Sequence, residues 1–136
     1  MLKWLKRFST FFRFVTVGII GLIINEGLLI ILKEHTGLSL QVASAIAIEC
    51  AILCQFQLND RWTFGAITRT IPRIWIRFLS YQTACIAGLV INDAVLNLLV
   101  IFAGIDYRIA NIIGIFIAFG WNYWINFNVT WKAHRQ

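Results

Sequence analysis

The sequence predicts an all-α integral membrane protein: four transmembrane helices from a duplicated two-helix hairpin arranged as a parallel repeat, with interfacial amphipathic segments beside them. Three observations carry that prediction. Of 136 residues, 60% are hydrophobic and 13% charged, and the mean hydropathy is +0.76, well outside the usage of soluble globular domains. Four apolar runs cover about 14–32, 42–58, 78–103 and 109–125, each near the roughly 20 residues that cross a bilayer core. Finally, a gap-free shift of 67 residues pairs Gly21 with Gly88, Leu22 with Leu89, Asn25 with Asn92, Glu26 with Asp93, Gly37 with Gly104, Asn59 with Asn126 and Thr63 with Thr130. Apolar sequence matches leucine to leucine by chance, but not polar pairs at one fixed offset.

Each run is read as a helix, because in lipid a spanning segment must satisfy its own backbone and four spans cannot close a barrel. The first follows a basic start but carries Asn25 and Glu26 in its middle and lacks a small-residue cleavage site, so it is read as a retained helix and not a signal peptide. The connections 33–41 and 104–108 are short enough for tight hairpins, whereas 60–77 is longer and holds the single proline, Pro72. Both copies, about 14–64 and 78–131 of one membrane domain spanning 1–136, contain an even number of spans. They therefore take the same orientation, related by an axis along the membrane normal.

Charge sets the orientation. Ten of the twelve basic residues lie before the first span, in the middle connection or after the last span, and only Lys33 and Arg108 lie on the other side. The positive-inside rule then places both termini in the cytoplasm, as expected for an inner-membrane protein of a bacterium. Net charge of +6 does not point to nucleic acid here, since the basic residues punctuate apolar runs and suit headgroups instead. Segments 2–12 and 66–77, which mix aromatic residues with Lys and Arg, are expected to lie flat at the interface. Cys50, Cys54 and Cys85 sit in apolar stretches without paired spacing or nearby His, and read as small hydrophobes. No metal or other cofactor is implied.

Small and amide residues recur every four positions in the second span (Ala43, Ala47, Ala51, Gln55, Asn59) and the fourth (Ala110, Gly114, Ala118, Asn122, Asn126). Small residues on one stripe let helices approach where lipid removes the hydrophobic drive, while the amides are expected to line a polar entrance. Glu26, Glu49 and Asp93 fall near mid-span, where each carboxylate costs on the order of 3 kcal/mol. They are expected to face the bundle interior, water or one another. Glu49 has Phe116 as its repeat partner, which suggests a single off-axis site. Arg13, Arg61 and Arg77 sit at headgroup level, where a guanidinium grips phosphate through paired donors. Arg61 is favoured, since it follows Asn59 and Asp60 and adjoins Trp62. A phosphate carrying a sugar suits both zones.

The opening Arg13-Phe14-x-x-Val17-Gly18 with Asn25 beyond it, and Asn59-Asp60-Arg61-Trp62-Thr63-Phe64 after the second span, resemble the GtrA-like family over nearly the whole chain. Gln55-Phe56 stands where members carry Asn-Phe, and the second copy reads Asn126-Phe127-Asn128-Val129-Thr130-Trp131 without arginine. The resemblance implies flipping of polyprenyl-phosphate-linked monosaccharides to the outer leaflet for O-antigen or other cell-wall glycosylation. Arg61, Arg13 or Arg77 would meet the phosphate, and Glu26, Glu49, Asp93, Asn25 and Asn92 the sugar, with Gln55, Asn59, Asn122, Asn126 and Trp62 in the polar groove. Membrane lipids, a membrane glycosyltransferase and a second copy in a homodimer or larger assembly are the expected partners. Two other readings compete: a non-transporting anchor for a glycosyltransferase, and a small proton-coupled cation exporter. An enzyme is disfavoured, because His35 and His134 lie in loop or terminal positions and no nucleophile, base and oxyanion donors assemble.

Overall fold

The computed structural model describes residues 2–65 and 73–131, with side chains from Arg7 onward in the first helix. The helices are α1 (Leu2–His35), α2 (Leu40–Leu58), α3 (Ile74–Ala103) and α4 (Tyr107–Ile125). A single π turn continues α2 over Asn59–Thr63 and another continues α4 over Asn126–Thr130. Four helical stretches, Arg7–His35, Leu40–Thr63, Ile74–Ala103 and Tyr107–Thr130, are long and apolar enough to cross a membrane. The protein is a multi-pass membrane protein. Its chain divides into two compact units, 1–70 and 71–136, each a helical hairpin. Residues 2–12, read from sequence as interfacial, begin α1 with no break before the span. Most of 66–77 lies outside the described residues, and its last residues open α3.

Both hairpins turn by the same device. Gly37 and Gly104 take left-handed φ values of 67° and 64°, a conformation that costs other residues a clash between Cβ and carbonyl. Two residues later a polar side chain caps the returning helix: Ser39 Oγ accepts from the Val42 amide at 3.4 Å, and Asp106 Oδ1 from the Arg108 amide at 2.9 Å. Such caps satisfy amides that helix geometry leaves without partners.

The hairpin seams follow the small-residue stripes. Ala43, Ala47 and Ala51 are buried on α2, as are Ala110, Gly114 and Ala118 on α4. Space on the facing side is filled by amides lying over glycines. A Cβ on Gly21 would overlap the Gln55 side chain, one on Gly88 would meet the Asn122 amide at 2.7 Å, and one on Gly114 would overlap Asn92 and lie 3.0 Å from its backbone carbonyl. Gly120 has open space instead. Gly114→Ala should therefore lower stability in detergent by about 1–3 kcal/mol, the range of overpacked sites. Gly120→Ala should match or slightly exceed the parent, since alanine is the better helix former. Thermal unfolding of the two variants checks this.

Candidate functional site

Opposite the glycine turn, each hairpin has an open end where its first helix enters and its second leaves. Here the π turns act. The amides of Phe64 and Trp131 bond the carbonyls of Asn59 and Asn126, at 2.8 and 3.0 Å, five residues back instead of four. The wide turn holds one extra residue, which moves everything beyond it by about 100° around the axis. Phe64 and Trp131 are thereby turned inward and are buried. Phe64 packs edge-on to Phe14 with ring centroids 6.4 Å apart, and Trp131 packs likewise against Tyr81 at 5.8 Å. This offset-preserving pair was missed from sequence, although the aromatic matches 14 with 81 and 64 with 131 were its signal. Asn126 supports the second π turn by donating Nδ2 to the Asn122 carbonyl at 2.7 Å. Asn128, given no role from sequence, donates to the Trp124 carbonyl at 2.9 Å.

Arg13 and the π turn meet in the first hairpin. Arg13 Nη1 donates to the Trp62 carbonyl at 3.1 Å, and its guanidinium carbon lies 5.8 Å from the Trp62 ring centroid, within range of a cation–π attraction. Arg13, Arg61 and Trp62 are all exposed. Arg61 makes no hydrogen bond or ion pair with any described residue, whereas Asn59 and Asp60 beside it are buried. Arg77 differs from both: it lies near the start of α3, is 5% exposed and is already engaged.

The mid-span polar residues divide by type. Glu26, Glu49 and Asp93 are exposed, so none is enclosed within its own hairpin. Neighbouring amides turn inward instead. Asn25, Asn92 and Asn122 are half-buried, Asn126 is fully buried, and each has its amide oxygen enclosed without a hydrogen-bond donor among the described residues. Gln55 donates Nε2 to the Gly18 carbonyl at 3.4 Å. Among the described residues no three His, Cys, Asp or Glu side chains stand close enough to hold a metal ion.

Four apolar spans, with exposed guanidinium groups beside an indole at one hairpin end, define a multi-pass membrane protein. A profile of the family described as GtrA/DPMS, transmembrane domain, matches residues 13–131, and the chain belongs to that family. The chain is also 38% identical, over 133 residues, to a dolichol-phosphate mannosyltransferase of Pyrococcus furiosus. That match covers 98% of this chain but only 37% of the mannosyltransferase.

The aromatic clasp should dominate open-end stability. Trp131→Ala removes a fully buried ring and should cost about 3–5 kcal/mol. Thr130→Val, which puts a methyl group in place of the hydroxyl that meets Ser80 Oγ at 2.8 Å, should cost about 1 kcal/mol. Unfolding of both variants in detergent measures the difference.

Proposed function

We propose that the chain moves a polyprenyl-phosphate-linked monosaccharide from the cytoplasmic to the outer leaflet of the cell membrane, for glycosylation of a cell-surface polysaccharide. The carrying observation is the exposed pair Arg13 and Arg61 flanking Trp62 at the open end of the first hairpin. Ten of twelve basic residues lie away from the two hairpin connections, and by the positive-inside rule this supports open ends that face the cytoplasm. Family membership supports the substrate class. Arginine suits the phosphate, because its planar fork pairs with two phosphate oxygens at once. Trp62 offers an apolar face to a sugar ring. Glu26, Glu49 and Asp93, exposed at mid-span, accept hydrogen bonds from sugar hydroxyls as the headgroup crosses, while the polyprenyl tail stays in lipid. The chain itself makes or breaks no covalent bond in this process.

A second reading has one observation behind it. The named relative is a mannosyltransferase more than twice as long as this chain, so the four helices would serve as the membrane module of a glycosyltransferase system, seating a partner enzyme at the cytoplasmic face without moving lipid.

Reconstitution separates the two. Vesicles containing the protein and a fluorescent polyprenyl-phosphate monosaccharide should show leaflet exchange well above protein-free vesicles, slowed roughly tenfold or more in Arg61→Ala and in Glu26→Gln, if each group stabilises the crossing by about 1.4 kcal/mol. Exchange no faster than in protein-free vesicles contradicts the translocation reading. Co-purification with a glycosyltransferase, without exchange, supports the second.

A further inference from the structure

The two hairpins close their open ends by the same kind of aromatic contact, but the polar pair beside it differs. In the second, Ser80 Oγ and Thr130 Oγ1 lie 2.8 Å apart, so each hydroxyl has its partner inside the hairpin. In the first, the equivalent positions are Arg13 and Thr63. Arg13, an exposed residue, spends one N–H on the Trp62 carbonyl and sets its guanidinium against the Trp62 ring, with no further hydrogen bond to a described residue. Thr63 is 6% exposed, and its hydroxyl has no hydrogen-bond partner among the described residues. The exchange of serine for arginine has therefore opened a closed pair. The first hairpin thus carries N–H donors on an exposed arginine and, at the position equivalent to Thr130, a buried hydroxyl with no partner among the described residues.

We infer that Arg13 and Thr63 form a subsite for a single lipid-borne phosphate, which the second hairpin replaces with a closed hydroxyl pair. The inference rests on the reading above and deepens it, because it assigns the phosphate contact to Arg13 and adds Thr63. A guanidinium has five N–H donors in a rigid plane. The Trp62 carbonyl takes one, which fixes the plane before a ligand arrives and reduces the ordering cost of binding. The remaining donors match a phosphate's oxygens in pairs. Phosphate, or the water it brings, completes the Thr63 hydroxyl, as Ser80 completes Thr130. Arg61, two residues before Thr63 and exposed, adds charge without a fixed geometry.

The second hairpin also supplies the control. Arg13→Ser places at the first clasp the residue that already bonds threonine at the second, so the fold should survive, with an unfolding midpoint close to that of the parent. Binding of a short-chain polyprenyl phosphate, titrated in nanodiscs of neutral lipid, should weaken at least tenfold. Arg13→Gln keeps a donor for the Trp62 carbonyl but no charge, and should lose affinity equally; it serves if Arg13→Ser fails to fold. Thr63→Val should weaken binding several-fold. Displacement by millimolar inorganic phosphate would locate recognition in the phosphate group alone, and resistance to it would show that the lipid tail contributes; both support the subsite. Unchanged affinity in a folded Arg13→Ser or Arg13→Gln protein overturns it. Normal binding without leaflet exchange would keep the subsite and remove the transport reading, whereas exchange with binding insensitive to Arg13 would do the reverse.

Discussion

The contact on which each hairpin depends is the edge-on meeting of two aromatic rings at its open end, Phe14 with Phe64 and Tyr81 with Trp131. Lipid gives helices no hydrophobic reason to pair, so association rests on close packing and on polar groups satisfied between helices. Small residues bring the seams together along most of their length. They cannot close the ends, because the helices leave the hairpin there without a connecting turn. A buried ring from each helix does so instead, adding a ring-on-ring attraction to the area it buries.

That contact in turn requires the π turn. Without one extra residue, Phe64 and Trp131 would point about 100° away from the first helix. The widened turn also leaves backbone carbonyls at the surface. Arg13 uses one of these, on Trp62, and the site follows from that bond: a guanidinium held in place by the fold, with donors to spare. Packing, backbone geometry and a candidate ligand group are thus successive consequences of one insertion.

Much of this was legible in the sequence. The apolar runs located the four helices, Gly37 and Gly104 marked the turns that their positive φ values require, and the stripes from Ala43 to Ala51 and from Ala110 to Ala118 became buried seams. The π turns were not legible, because each lies at the last turn of its helix and too few residues follow for the shift in periodicity to show. Nor was the exposure of Glu26, Glu49 and Asp93. Helices that are apolar on every side give no face from which to judge where a lone carboxylate points. Arg61 attracted attention through its neighbours in sequence, but the tether that distinguishes Arg13 joins residues 49 positions apart, beyond the reach of any local pattern. Arg77 looked equivalent to both by its place at a span's edge, and its burial sets it apart.

Duplication made two frames with matching turns, seams and aromatic clasps, and we propose that Arg13, where the second frame has Ser80, gives one of them a phosphate-binding end. The central claim is therefore a count. Native mass spectrometry of the protein with excess polyprenyl phosphate, released from a membrane mimic, reads that count directly. One retained lipid phosphate per chain is the predicted result. Two per chain, one for each hairpin, or none at concentrations that saturate the titration, would contradict the account.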